Sequence, residues 1–299
     1  DKKLRPIKLK VIPKYKFYPG KDGKPSYVGR KVRIVAKGYM QAVIKGVTNY
    51  FGVARPSTVK LFFALSRTAK KMYPDLDWSL TGFDVSAAYL AAKQQEGDPR
   101  IQLRPFKGMR RVCEHLRIPF PADFEQKGSD WMMELRAQLY GLRSAGRAWG
   151  LKLRKTLVGR GFTRCVNDGD ECVYIRRRKF SGKREYCAVL TIVDDCLVLA
   201  GSIPGSRQVK TFYDNIEKEY NITKQMVPSL FLGFDITRDE NNDWEWSHDT
   251  YILTCWERYE AELRKYGLWE ARPKTQLCPR PGAHLKRLCV MCVCVSERE

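Results

Sequence analysis

The spacing of apolar residues predicts a hairpin near the start of the chain. Two strands, at 14–17 and 28–37, flank a segment rich in glycine, proline and charge, which is typical of a turn. A period of two gives the second strand an apolar face and a cationic face: Val32, Ile34 and Ala36 against Lys31, Arg33 and Lys37. We expect the apolar face to pack. The cationic face either binds an anion or protects a solvated sheet edge.

Further along, the chain alternates irregularly between helical and strand periods. Helical spacing predicts an amphipathic helix over 57–72, capped by Ser57 or Thr58, and another after Gly141 with Trp149, Leu153 and Leu157 on one stripe. Further helices are predicted over 86–93, 205–220 and 249–266. Strands are predicted near 80–85, 101–103, 171–176, 188–193, 197–200, 230–237 and 244–247. The proline and glycine content of residues 106–130 indicates an irregular surface insertion. The order predicts an α+β fold around a mostly antiparallel sheet.

Carboxylates stand where two of these apolar strands end. Asp194 and Asp195 lie between two buried-type strands, and Asp84 closes the strand at 80–85. Adjacent carboxylates in an apolar hairpin repel each other and resist loss of water, so they are tolerated where a cation compensates. An ordinary solvated turn is the alternative for Asp194 and Asp195 taken alone. The second site at Asp84 favours a shared metal.

A hard cation such as Mg²⁺ prefers oxygen ligands and leaves positions open for water or phosphate. Carboxylates from different strands can therefore hold two Mg²⁺ ions, for which Mn²⁺ could substitute, in a phosphoryl-transfer site. Because adjacent strand residues point to opposite faces, Asp194 and Asp195 cannot be equivalent ligands. We assign Asp84 and Asp194 as the principal pair and Asp195 as a supporting ligand.

The net charge of the chain indicates a polyanionic partner. The chain has 55 Lys and Arg against 33 Asp and Glu, a net charge of +22, and half of that excess lies in the first 40 residues. Such a balance suits nucleic acid or an anionic membrane surface. No apolar run is long enough to span a bilayer and the N-terminal residues lack the apolar core of a secretory signal, so we expect an intracellular, cytoplasmic protein without a membrane partner.

The ten cysteines mostly stand singly in apolar segments, which is typical of reduced core thiols. Near the C-terminus, Cys278, His284, Cys289 and Cys292 could form a zinc set, but their spacing matches no common finger.

Five short sequence motifs along the chain resemble those of the Ty1/copia class of retrotransposon reverse transcriptases, and they occur in the same order as in that family. They are 31–38 with Gln41, then 83–90, then 138–143 with 147–149, then 193–195, and finally 231–236. The resemblance covers roughly residues 10 to 275. It implies an RNA-directed DNA polymerase that extends a primer on an RNA or DNA template with deoxynucleoside triphosphates.

The resemblance also implies a right-hand polymerase, with an antiparallel palm sheet flanked by helices and only the start of a thumb. The reverse transcriptase domain would cover 1–272, followed by an irregular tail at 273–299. The fingers would be about 1–82 and 95–150, the palm about 83–94 and 151–247, and the start of the thumb about 248–272. In this hand Asp84, Asp194 and Asp195 are the metal-binding triad.

Other residues take roles by the same resemblance. Arg33 and Lys37 would grip the incoming triphosphate, and Tyr89 would stack beneath its sugar and exclude a 2′-hydroxyl. Tyr140 and Gly141 would lie near the nucleotide and template. Plain core positions remain the alternative for both tyrosines. A primer grip would hold the 3′ end of the primer; it comprises Phe231, Leu232, Gly233 and Phe234.

Departures from the family leave two functions open. Ile192 stands where an aromatic residue is usual, and small residues surround Asp84. The RNase H and integrase regions of the parent polyprotein are expected but absent, and the tail after Cys289 matches nothing in the family. We therefore expect a polyprotein fragment, placed by resemblance in a virus-like particle. It is either an active polymerase domain or a degenerate copy that binds nucleic acid without catalysis.

Overall fold

The computed structural model describes residues 5–19, 25–42, 48–94, 100–119, 132–166, 170–225, 230–232, 234–240, 243–252 and residue 264. The helices are α1 (Pro56–Met72), α2 (Ala88–Ala91), α3 (Met109–His115), α4 (Ala145–Val158) and α5 (Gln208–Glu217), with a 3₁₀ turn at Gly38–Met40. The first strands are β1 (Ile7–Pro19), β2 (Pro25–Ala36), β3 (Asp77–Val85), β4 (Gln102–Arg104), β5 (Met133–Glu134) and β6 (Thr163–Arg164). The later strands are β7 (Val173–Phe180), β8 (Lys183–Ile192), β9 (Asp195–Ser202), β10 (Ile222–Gln225), β11 (Leu230–Phe231), β12 (Phe234–Arg238) and β13 (Trp244–Ser247).

These strands form three sheets. The largest has six strands in the order β10-β3-β9-β8-β7-β6, and every neighbouring pair in it is antiparallel. A four-stranded sheet in the order β2-β1-β4-β5 contains one parallel pair, β1 with β4. Strands β11, β12 and β13 form a small antiparallel sheet. The mixed α+β class with a mostly antiparallel sheet is confirmed.

The six-stranded sheet separates two hydrophobic cores. On one face, Phe83 of β3 and Val198 of β9 pack with residues of α4 and α5. On the other face, Leu80 and Leu197 pack with α1 and the small sheet. Each strand serves both cores because successive side chains alternate between faces. The sheet is therefore the common support of the molecule, and both cores end near the β8–β9 turn.

Helix α1 shows the predicted stripe, since Val59, Phe62, Phe63 and Ala69 are all buried. Its start differs from the prediction: Arg55 is the N-cap residue, and Pro56 opens the helix ahead of Ser57 and Thr58. Proline suits the first turn because its missing N–H has no partner there and its φ is already helical. Helix α4 likewise buries Trp149, Leu153 and Leu157 as predicted.

Several elements differ from prediction. The helix expected over 86–93 is a single turn, α2, because Ala87 adopts a left-handed φ of 56° that stops the helix from starting earlier. The insertion at 106–130 is not wholly irregular, since it contains α3. On β2, Val32 is 58% exposed, so the apolar face of that strand packs only toward its end, at Ala36.

Other expectations lie partly or wholly outside the described residues. They include most of the helix at 249–266, the tail at 273–299 with its cysteines, and the turn at 20–24. The five described cysteines are free, and all but Cys165 are buried, in agreement with reduced core thiols.

Candidate active site

Two of the predicted carboxylates face each other across the middle of the six-stranded sheet. Asp84, near the end of β3, is the cross-strand partner of Asp195, the first residue of β9. Directly opposed residues of an antiparallel pair carry their side chains on the same face, about 5 Å apart at Cβ. Alternation along the strands makes this the face of Leu80 and Leu197, opposite to α4 and α5.

Asp194 lies in the tight turn that joins β8 to β9. The backbone N–H of Val85 donates to the Asp194 carbonyl at 2.9 Å, which ties the turn to the end of β3. Val193, the residue before it, has a φ of 56° in the left-handed region. The indole N–H of Trp149 donates to the Val193 carbonyl. The three aspartates are thus gathered at one end of two neighbouring strands, as the sequence predicted.

The pKa values of Asp84 and Asp195 are raised by their surroundings. Burial raises the pKa of Asp195 to about 6, and the negative charges of Asp84 and Asp194 contribute to the shift. Burial and the charge of Asp194 also raise the pKa of Asp84, while Lys31 lowers it. Burial and nearby negative charge both disfavour the ionised form of a carboxyl group. A positively charged group bound at this point would stabilise the ionised carboxylates and lower both pKa values.

The β1–β2 hairpin brings cations toward this acidic end. Lys31 acts on the charge of Asp84, and the guanidinium of Arg33 lies 5.9 Å from the centroid of the Tyr140 ring. Both residues come from the predicted cationic face of β2. Lys37 follows the strand, and its backbone N–H donates to the Lys8 carbonyl at 2.9 Å. No contact of its side chain with the acidic end is seen within the described part of the chain.

Tyr89 and Tyr140 stand together beside the carboxylates. Their ring centroids are 4.7 Å apart. Burial and the charge of Asp194 raise the pKa of both hydroxyls, so both rings lie close to the turn. Tyr89 is only half-buried at the end of the core that α4 and α5 cover. The position of Tyr89 is therefore compatible with both predicted roles, contact with a ligand and packing in the core.

Gly141 has a structural role next to Tyr140. Its φ is +89°, and a Cβ there would lie 2.2 Å from the carbonyl oxygen of Ala36. The N–H of Ala36 donates to the Tyr140 carbonyl at 2.7 Å. Gly38 approaches from the other side, where a Cβ would lie 1.9 Å from the Gly141 carbonyl oxygen. The two glycines allow the backbone of the hairpin to dock onto the loop that carries Tyr140.

The predicted primer grip lies on the same face of the sheet as Asp84 and Asp195. Phe231 is buried in the core that contains Ile192, and Phe234 packs edge-on against Trp246 at 5.2 Å. Leu232, at the tip between β11 and β12, is 47% exposed. Gly233 lies outside the described residues. Exposure at the tip leaves Leu232 accessible to a ligand that occupies this face.

The donor chemistry of the site fits a hard divalent cation, since three carboxylates offer oxygen ligands and the charges of neighbouring aspartates raise the pKa of Asp84 and Asp195. Among the described residues, however, no three His, Cys, Asp or Glu side chains are already arranged as a ligand set. Binding of a cation would therefore require these half-buried side chains to turn toward it.

Two contacts were not predicted. Lys31 was placed on the cationic face without a role, although its spacing of two from Arg33 was the available signal. The hydrogen bond from Trp149 to Val193 had no signal, because the two residues are 44 positions apart. The sequence showed Trp149 as part of a helical stripe and left its indole N–H without a partner.

A family model for reverse transcriptase (RNA-dependent DNA polymerase) matches residues 3–262. The chain belongs to this reverse transcriptase family, whose activity is RNA-directed DNA synthesis. It is similar to the retrovirus-related Pol polyprotein from transposon TNT 1-94 of Nicotiana tabacum, with 27% identity over 297 residues, or 99% of this chain and 19% of that protein. The polyproteins from transposons RE2 and RE1 of Arabidopsis thaliana are 23% and 24% identical over 210 residues, 70% of this chain and 12% of each polyprotein.

These relatives confirm the expected resemblance to Ty1/copia-type elements. The chain spans about a fifth of the TNT 1-94 polyprotein. Within the described residues, none of the helices has the length and apolar character needed to cross a membrane.

Proposed function

We propose that this chain catalyses template-directed DNA synthesis by two-metal nucleotidyl transfer, as the polymerase portion of a retrotransposon polyprotein. The observation that carries the proposal is the convergence of Asp84, Asp194 and Asp195 at one end of β3, β8 and β9. A fold does not require three neighbouring carboxylates there, and burial together with the charge of neighbouring aspartates raises the pKa of Asp84 and Asp195.

The three aspartates would hold two Mg²⁺ ions. Bound there, the ions would favour deprotonation of the primer 3′-hydroxyl and stabilise the leaving pyrophosphate. Asp84 and Asp194 remain our principal pair, with Asp195 in support. Asp195 is the group with the pKa raised to about 6, so it has the most to gain from a nearby positive charge.

The surrounding residues have roles toward the substrates in this proposal. Arg33 and Lys37 would bind the triphosphate of the incoming nucleotide, whose oxygens need cationic donors. Lys31 adds a third cation, because its charge already acts on Asp84. Tyr89, in contact with Tyr140, would stack beneath the sugar and exclude ribonucleotides.

The same assignment gives the parts of a right hand. The β1–β2 hairpin would be the fingers, the six-stranded sheet with α4 and α5 the palm, and β11–β12 the primer grip. A grip that places the primer end must be accurate, since an error of ~1 Å can lower the rate on the order of a hundredfold. The net charge of +22 supports binding of a nucleic-acid backbone without base-specific readout.

The test is primer extension on an RNA template with Mg²⁺ and deoxynucleotides. Asp84→Asn and Asp194→Asn should each abolish extension while leaving duplex affinity unchanged. The control is Asp77→Asn, a substitution at the exposed opposite end of β3, which should extend as wild type does. Near-normal extension by either active-site variant would remove the metal assignment.

The degenerate-copy alternative has its own outcome. A wild-type chain that binds primer-template in a salt-dependent manner but does not extend it would be a nucleic-acid-binding relic.

A further inference from the structure

We propose that Trp149 is a positioning residue for Asp194, which it acts on by holding the backbone of the β8–β9 turn through the Val193 carbonyl. The inference rests on the proposed function, because that function makes Asp194 a catalytic residue. The effect of Trp149 on Asp194 passes through one peptide group, the one that joins Val193 to Asp194.

The turn needs such support because its backbone conformation is unfavourable. Val193 has a φ of 56°. A β-branched residue in the left-handed region is a genuine outlier, and it persists only where the surroundings hold it. The Val193 side chain is 41% exposed, so burial offsets little of this cost. Hydrogen bonds to the turn are left as the main restraint.

Two restraints act on consecutive carbonyls, and they come from different elements. The indole N–H of Trp149 donates to the Val193 carbonyl from α4. The backbone N–H of Val85 donates to the Asp194 carbonyl at 2.9 Å from β3. The Cα of Asp194 lies between these two carbonyls. Together they limit rotation of the backbone on both sides of Asp194, and so fix the direction of its side chain.

Packing beneath the turn does not replace the hydrogen bond. A pocket of about 130 Å³ lies beside the turn, lined in part by Phe51, Gly52, Trp149, Thr191 and Val193. Because the pocket is not filled by side chains, the turn could move into it if the hydrogen bond were lost. The hydrogen bond from Trp149 therefore holds the turn where side-chain contacts do not.

Trp149 itself is held rigidly. It is 1% exposed and packs edge-on against Tyr220 at a centroid distance of 5.3 Å. The Tyr220 hydroxyl lies 2.6 Å from that of Thr156, which also donates to Glu219 at 2.8 Å. Lys152 adds an ion pair to Glu219 at 2.6 Å. These contacts join α4 to the segment after α5, so the indole N–H has a defined position relative to the sheet.

A purely structural role for Trp149 is the competing explanation, and it makes a different prediction. If the ring only filled the core, an isosteric ring without the N–H would serve equally well. Replacing Trp149 by β-(3-benzothienyl)alanine puts sulfur in place of the N–H and preserves the shape. Trp149→Phe is the genetically simpler variant. Trp78→Phe is the matched control, since the Trp78 indole also donates to a backbone carbonyl, that of Tyr73 at 3.3 Å, at the far end of β3.

The first measurement is hydrogen–deuterium exchange of the backbone amides in residues 191–196, without substrate. We expect exchange in the benzothienylalanine and Trp149→Phe variants to be roughly tenfold faster or more, as loss of ~1.4 kcal/mol of local restraint would produce. The Trp78→Phe control should keep wild-type exchange in this segment. Wild-type exchange in the benzothienylalanine variant would overturn the proposal.

The second measurement is steady-state extension together with duplex affinity. We expect kcat to fall on the order of tenfold to a hundredfold in the Trp149 variants, with the KM for nucleotide and the Kd for primer-template unchanged. An unchanged kcat in the benzothienylalanine variant would also overturn the proposal. A wild-type chain that fails to extend counts against the proposed function alone, because the exchange measurement still decides whether Trp149 holds the turn.

Discussion

Asp195→Asn should make the metal-free protein more stable at neutral pH. In the folded chain the pKa of Asp195 is raised from 3.8 to about 6 by burial and by the charges of Asp84 and Asp194. A raised acid pKa means that the folded state disfavours the ionised form. The stability of wild type is therefore unaffected below about 3.8, decreases as the pH rises from about 3.8 to about 6, and levels off above that.

The magnitude follows from the shift. Raising a pKa from 3.8 to about 6 corresponds to about 3 kcal/mol at about 1.36 kcal/mol per pH unit. Because Asp195 is only half-buried, screening by water reduces this to about 1–2 kcal/mol. Asparagine has the shape of the protonated acid and carries no charge. We therefore expect Asp195→Asn to gain about 1–2 kcal/mol of unfolding free energy at pH 7.5 and roughly half of that at pH 5.

The assay is urea unfolding of wild type, Asp195→Asn and Asp77→Asn in a chelator at both pH values. Asp77 is exposed at the other end of β3, so its variant should match wild type. Added Mg²⁺ should then stabilise wild type more than Asp195→Asn, since a ligand stabilises the state that binds it. A variant no more stable than wild type at pH 7.5, or a gain that does not depend on pH, would mean that ionised Asp195 does not destabilise the fold.

Two further substitutions test the residues beside the carboxylates. Tyr89→Ala should lower discrimination against ribonucleotides on the order of tenfold to a hundredfold, while Tyr89→Phe keeps the ring and the discrimination; single-nucleotide incorporation with matched ribo- and deoxynucleotides measures both. Gly141→Ala should destabilise the protein by at least about 2 kcal/mol, because its φ is +89° and the new Cβ would meet the Ala36 carbonyl oxygen at 2.2 Å. Gly146→Ala in α4 meets nothing within 4 Å and should gain up to about 1 kcal/mol; urea unfolding measures both substitutions, and equal effects of the two would contradict this account.

Much of the fold could be predicted from local spacing. The stripe of Trp149, Leu153 and Leu157 has the helical period, and it was found buried on α4. The strands on either side of Asp194 follow from continuous apolar runs bounded by acidic residues. Local spacing misjudged the short helix after Asp84, because the left-handed backbone at Ala87 has no compositional signal when the residue is not glycine.

Residue types and spacing alone singled out the candidate site residues: three aspartates at strand ends, cations alternating along β2, and tyrosines near both. These depend on residue type and on periods of two or 3.6, which are local properties. Only the tertiary structure decided how they meet. Asp84 faces Asp195 across 111 positions of sequence through strand register, and Trp149 reaches Val193 because α4 packs on the sheet. Register and packing arise from contacts between distant segments, which no local pattern encodes.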